Sequence, residues 1–292
     1  MRALIFRSSL LVILAAATAV AQRDTAFTWS KRLPDGSRLT IRNFNGPIDV
    51  RAASGDRIEV RATVRAESRG NVSDVTFDVR DRASDDVEIC TVYRGTSDCD
   101  LGRSVNNVRV TVRYTIDLPQ SMRLRASTGN GTVTVTQTVA EVEASTGNGD
   151  VTIKESLGRV NASTGNGHVI ITSARGPVKV SSGNGRIVAN TSRGPVDAST
   201  GNGDIDVKMA TLPADQGSMT FSTGSGSVRV TLPADFNGEL DANTGNGSIN
   251  TDFEIRVQGR LSESRLRGVI GTGNGPMIKL RSGNGRLEIR KD

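Results

Sequence analysis

The tripeptide Gly-Asn-Gly starts at Gly129, Gly147, Gly165, Gly183, Gly201, Gly245, Gly273 and Gly283, with Gly-Ser-Gly at Gly224 as a ninth copy, and the first five copies lie 18 residues apart. A fixed period of this kind marks a repeat architecture, in which each unit buries its apolar face only by stacking on a neighbour. Around each tripeptide apolar residues alternate with period two. Val133 and Val135, Val151 and Ile153, and Val169 and Ile171 follow it; Val142 and Ala144, Val160 and Ala162, and Val178 and Val180 precede it. Each unit therefore reads as two short half-buried strands joined at a glycine corner. Gly158, Gly176, Gly194, Gly217 and Gly238 mark a second corner, each seven residues before the next tripeptide. The opposite arm lengthens at 209–216, 231–237 and 251–267, so the insertions fall on one edge.

Strands that recur in one direction cannot pair as hairpins without reversing their order, so they stack in parallel, one turn above another, at ~4.8 Å per turn. Nine turns predict a section of roughly 40 Å by that spacing. The fold class expected is all-β: a parallel β-solenoid with two strands per turn and an irregular N-terminal capping region. Asn-Gly accommodates the positive φ of a tight corner, and Asn130, Asn148, Asn166, Asn184, Asn202 and Asn246 are expected to stack as a hydrogen-bonded ladder. Ser145-Thr146, Ser163-Thr164 and Ser199-Thr200, just before the corners, should stack likewise. Only ten residues are aromatic. That scarcity suits a thin core of Val, Ile and Ala between close sheets.

Three regions are expected. Residues 1–21 pair Arg2 and Arg7 with an apolar run ending in Ala19-Val20-Ala21, the pattern of a secretory signal peptide rather than a membrane span. Residues 22–125 hold a first turn and an irregular β region, and 126–292 hold the regular repeats. In the first turn, Gly46-Pro47 followed by Ile48 and Val50 matches the Gly176-Pro177 corner, and the longer alternating segments after it would cap the open edge of the stack. The chain is expected to be exported to the periplasm, the cell surface or the medium, with no transmembrane segment in its mature form. Cys90 and Cys99, with eight residues between them around Gly95, then read as a disulfide clipping a loop.

Formal net charge is +6, and removal of Arg2 and Arg7 lowers it to +4. The basic residues are scattered among nearly as many acids, not gathered into a stripe, so nucleic acid is not an expected partner. One His and two Cys give no metal-ligand spacing, and no cofactor motif follows a strand, so neither metal nor cofactor is expected. The first outward column after the corner reads Thr132, Asp150, His168, Arg186, Asp204 and Ser227. A His between an acid and a base resembles a catalytic cluster, but alternating charge is also what stacked rungs favour. The solvated ladder is the preferred reading, and no catalytic residue is assigned.

Strand-turn units with Gly-Asn-Gly corners, the first turn GPIDV and the lead-in YTIDLPQSMRLRASTGNG resemble the bacterial putative-adhesin family of exported β-strand-repeat proteins, a domain of unknown function. The resemblance covers about residues 38 to 290. It implies surface adhesion, and for some members a link to envelope-stress signalling, without catalytic residues to carry over. The function expected is thus a non-enzymatic exported solenoid that presents an extended surface to an envelope protein or a surface glycan. The alternatives are a periplasmic envelope-stress component and a carbohydrate-active β-helix enzyme.

Overall fold

The computed structural model describes residues 25–67, 70–83, 85–94, 109–136, 140–212, 217–257 and 262–292. The chain forms a β-solenoid of two sheets, with 12 and 13 strands. Nine stacked rungs make up its body, each a strand before the corner in the larger sheet and a strand after it in the smaller. In spatial order the rungs are Arg38–Asn45 with Ile48–Ala52, Arg123–Asn130 with Val133–Thr136, Glu141–Asn148 with Val151–Lys154, and Val160–Asn166 with Val169–Ala174. Then come Val178–Asn184 with Ile187–Thr191, Val196–Asn202 with Ile205–Met209, and Met219–Ser225 with Val228–Leu232. The eighth is Met277–Asn284 with Leu287–Lys291, and the ninth is Gly238–Asn246 with Ile249–Thr251. All rung-to-rung pairing is parallel and keeps equivalent positions opposite one another: Val142 pairs with Val160, and Asn148 with Asn166.

Register is pinned because alternate residues face inward. Val151 and Ile153 are fully buried, as are Val169 and Ile171, and the small Ala144 and Ala162 of the other sheet are buried too. Large residues opposite alanine hold the sheets close, which accounts for the rarity of aromatics in the rungs. Five of the nine aromatics among the described residues, Phe27, Trp29, Phe77, Tyr93 and Tyr114, lie instead in the N-terminal cap. There Arg57–Ala66 lies antiparallel to Val110–Leu118 and to Thr25–Arg32, while Asp86–Tyr93 continues the larger sheet and pairs antiparallel with Val75–Ala83. Phe27 stacks on Phe77 at 4.6 Å, and Tyr114 is buried with its hydroxyl 2.7 Å from that of Thr91. Burial pushes the Tyr93 and Tyr114 phenols well above their ordinary pKa, so both hydroxyls remain protonated donors.

Three sequence expectations are corrected. First, Gly273-Asn274-Gly275 is not a corner of the stack. Gly275-Pro276 stands at the second corner, where the Pro276 carbonyl accepts from the Glu239 N–H at 3.1 Å, as Pro177 does from Val160 and Pro195 from Val178. Second, Asn45-Gly46 belongs to the Asn-Gly corner rather than to the Gly-Pro corner. Asn45 pairs with Asn130, and the Gly46 N–H donates to the Asn130 carbonyl. There are nine rungs, but Asn45-Gly46 supplies the one that Gly273 does not. Third, the rungs do not stack wholly in sequence order. The C-terminal turn slots between the seventh and ninth rungs, so that Asn284 pairs with Ser225 on one side and Asn246 on the other. The signal-peptide segment lies outside the described residues. So does Cys99; its expected partner Cys90 is fully buried, and no free cysteine occurs among the described residues.

Candidate functional site

Three columns of side chains converge at the Asn-Gly corner, and each does something different. Outermost is the asparagine column. Asn148 Nδ2 donates to Asn130 Oδ1 at 2.9 Å, and Asn166 to Asn148, Asn184 to Asn166 and Asn202 to Asn184 at 2.8 Å each. Asn246 donates to Asn284 at 2.8 Å. The intervening seventh rung has Ser225 at this position, which divides the ladder into two runs.

Two residues before each asparagine, a hydroxyl points inward. Thr146 Oγ1 donates to the Gly131 carbonyl and Thr164 Oγ1 to that of Gly149, both at 2.8 Å, one rung back. Thr128, Ser182, Thr200, Thr223, Thr244 and Ser282 repeat the contact. These hydroxyls satisfy carbonyls that the corner geometry would leave without a donor. In the second to seventh rungs the residue before the inward hydroxyl is a serine, Ser127, Ser145, Ser163, Ser181, Ser199 and Ser222, which faces outward and forms a hydroxyl file along the larger sheet. Alternation thus separates Ser-Thr pairs that look equivalent in sequence: serine is surface and threonine is core.

The third column is the one that resembled a catalytic cluster. Asp150 Oδ1 accepts the His168 main-chain N–H at 2.7 Å, and His168 Nδ1 accepts that of Arg186 at 3.0 Å. Asp204 Oδ1 accepts the Ser227 N–H at 2.8 Å, and the Arg186 guanidinium reaches Asp206 at 3.2 Å. Asp150, His168 and Asp204 thus each cap the backbone one rung along. Because His168 Nδ1 is an acceptor, the proton of the neutral ring sits on Nε2, and the nitrogen that faces the column has no lone pair to offer a substrate. Asp150, His168 and Arg186 are neighbours, yet the Asp150 and His168 side chains pair with main chain and the Arg186 guanidinium with Asp206. Among the described residues no group of three or more His, Cys, Asp or Glu is placed to hold a metal.

The outer face of the smaller sheet is charged at both ends. At the cap, Arg61 pairs with Asp117 at 2.8 Å, and Arg51 pairs with the same carboxylate. Near the C-terminus Glu288 meets Arg229 at 2.8 Å and Arg286 and Arg290 at 3.5 Å. The Arg229 hydrogen bond is the main cause that holds the Glu288 carboxyl below its usual pKa, and Arg281 does the same for Asp241 on the other sheet. Between these networks the face carries Thr134, Thr136, Thr152, Lys154, Ile170, Thr172, Val188 and Asn190, with Ile170 exposed. On the second-corner edge a hollow of about 290 Å³ is lined by Leu212, Pro233, Asp235, Phe236, Asn274 and Pro276, among others. Residues 213–216 and 258–261, parts of the insertions expected to form a contact edge, lie outside the described residues.

A family model described as Toastrack DUF4097 matches residues 37–290. No curated protein matches the chain. Solved structures similar to it include a "putative adhesin" from Bacteroides fragilis, 12% identical, covering 92% of this chain and 97% of that one with a TM-score of 0.42. A "putative lipid binding protein" from Parabacteroides distasonis is 10% identical over 90% of this chain and 96% of its own, with a TM-score of 0.45. A "putative adhesin" from Parabacteroides merdae is 11% identical over 90% and 95%, with a TM-score of 0.31.

Proposed function

The chain belongs to the Toastrack DUF4097 family, and from that premise we propose that it is a non-enzymatic, exported solenoid whose faces and loop edge bind an envelope protein or a surface glycan. The observation that carries the reading is the third corner column. Asp150, His168, Asp204 and Ser227 use their acceptor atoms on main-chain N–H groups of the next rung. A stack that fixes its polar side chains in this way builds a rigid, periodic surface and not a reaction centre. Export follows in this reading from residues 1–21 as a cleaved leader, and it would allow Cys90 and Cys99 to pair.

The test takes the full mature chain, incubates it with intact cells and with separated envelope fractions, and measures retention alongside proximity labelling of neighbours. Saturable retention on an envelope fraction is the expected result. Recovery of a glycan-cleaving activity that His168→Ala abolishes would replace the proposal with an enzymatic one.

A further inference from the structure

The chain contains ten Asn-Gly pairs, at Asn45, Asn130, Asn148, Asn166, Asn184, Asn202, Asn237, Asn246, Asn274 and Asn284. Such a pair is chemically reactive because glycine offers no side chain to shield its nitrogen. The main-chain nitrogen of Gly attacks the Asn Cγ, the bond from Cγ to the side-chain nitrogen breaks, ammonia leaves and a succinimide ring forms. Water then opens either ring carbonyl to give aspartate or isoaspartate. The reaction needs a side-chain amide free to rotate onto the backbone and a glycine N–H free to lose its proton.

The stack removes both freedoms at its interior corners. The Asn148, Asn166 and Asn184 amides each bond the rung below and the rung above. The glycine nitrogens that would attack them donate to carbonyls one rung along: Gly149 to Asn166 at 2.8 Å, Gly167 to Asn184 at 2.9 Å and Gly185 to Asn202 at 2.8 Å. Asn237 is held differently, its Oδ1 accepting the Gly273 N–H and its Nδ2 donating to Thr272 Oγ1, both at 2.8 Å. Asn246 keeps its side-chain bond, but the Gly247 N–H on this outermost rung has no hydrogen-bond partner among the described residues.

Asn274 has neither restraint. It is exposed in the turn between the strand Arg265–Ile270 and the eighth rung, and among the described residues neither its side chain nor the Gly275 N–H makes a hydrogen bond. We propose that Asn274-Gly275 is a site of spontaneous deamidation in the folded protein, converting to aspartate and isoaspartate while the stacked Asn-Gly corners stay intact. The change adds a carboxylate to the hollow that Asp235 already lines. Isoaspartate also lengthens the main chain by a methylene group in the connection that delivers the C-terminal turn into its slot. The proposal does not depend on what the surface binds.

The test incubates the full mature chain in mildly alkaline buffer, native and in concentrated urea, then maps peptides by mass spectrometry and quantifies isoaspartate. The ratio of denatured to native rate isolates protection at each site. For Asn148, Asn166 and Asn184 the expected ratio is at least about tenfold, each factor of ten corresponding to about 1.4 kcal/mol. For Asn274 it should lie near one, with isoaspartate among the products. Asn166→Ser, which copies the Ser225 of the seventh rung, should raise the native rates at Asn148 and Asn184 and leave Asn274 unchanged. Protection at Asn274 equal to that of the ladder, or aspartate formed there without isoaspartate, overturns the proposal; so does a native rate at Asn148 and Asn184 that Asn166→Ser does not move.

Discussion

Three glycine-to-alanine substitutions separate what close stacking demands from what backbone conformation demands. At Gly55, exposed in a bend of the first turn, an added Cβ meets nothing within 4 Å, and φ is not left-handed. At Gly165, φ is also ordinary, but the Cβ would lie 2.6 Å from the Gly147 carbonyl oxygen of the rung below. At Gly167, φ is +150° and the Cβ would run into the Gly149 carbonyl. Gly55→Ala should therefore be neutral or stabilise by about 0.4–1 kcal/mol, through the entropy of the unfolded chain. Gly165→Ala adds a methyl group to a space without room, and overpacking of that kind costs about 1–3 kcal/mol. Gly167→Ala adds to the same crowding a backbone strain of about 1–3 kcal/mol, so its loss should be the largest. Urea unfolding of the three purified variants, with the slope compared to the parent, measures the order. Hydrogen exchange at the third and fourth rungs reports the damage where the methyl group sits. If Gly165→Ala matches Gly55→Ala to within experimental error, contact with the neighbouring rung is not what keeps glycine at the first position of the tripeptide.

Thr164→Val keeps shape and removes only the donor to the Gly149 carbonyl; it should cost about 1–3 kcal/mol, as expected when a buried carbonyl loses its partner, and should speed exchange at the fourth rung. His168→Ala should leave the fold intact with a loss of about 1 kcal/mol or less, the worth of one exposed hydrogen bond from the Arg186 N–H, which a thermal melt will read. Arg229, ahead of Arg290 and Arg286, holds the folded pKa of Glu288 below its unfolded value, so this carboxylate contributes stability that is complete above the unfolded pKa and is lost as pH falls through the folded one. Glu288→Gln should accordingly flatten the acid limb of a stability–pH profile; an unchanged limb would place the acid sensitivity elsewhere. Deleting the C-terminal turn from Met277 onward should be far more damaging than loss of a terminal rung, because it strips hydrogen bonds from both the seventh and the ninth; the expected outcome is aggregation on size exclusion, and a monodisperse truncated chain would contradict the slotted arrangement.

The body of the stack was legible because its rule is local. A corner every 18 residues and alternation on both sides are enough to set strand direction, register and the inward set. What was not legible depends on which corner a glycine occupies, and short sequence does not decide that. Asn45-Gly46-Pro47 and Asn274-Gly275-Pro276 read alike, yet the first stacks on Asn130 and the second stands where Gly176-Pro177 stands. A weak clue existed in Gly275-Pro276, which repeats the Gly-Pro of that second corner but precedes Gly283 by eight residues instead of seven. The role of His168 was hidden for a different reason. Its column position follows from the period, but the partner of Nδ1 is a main-chain N–H, which every residue but proline carries and which no pattern of side chains can signal.

Slotting the C-terminal turn into the eighth place also bears on how the stack ends. A solenoid of identical rungs presents the same open pairing edge at its last turn as it uses between turns, a template for another chain. Here the last rung in space is not the last in sequence, so the ninth rung can depart from the repeat without costing the chain its regular C-terminal strands. Its second strand, Ile249–Thr251, is only three residues long. Its first strand is covered by the antiparallel Arg265–Ile270, which in turn carries Ile255–Val257, with Arg265 and Arg267 on the covering strand. At the other end the first rung is covered by Val110–Leu118 and Asp86–Tyr93, each backed by antiparallel partners. Parallel pairing thus builds the body of the molecule, and antiparallel strands cover both ends of the larger sheet and the N-terminal end of the smaller. Among the described residues nothing pairs beyond Ile249–Thr251, an edge too short to template a full rung. The broad faces and the second-corner edge are therefore the extended surfaces left for a partner.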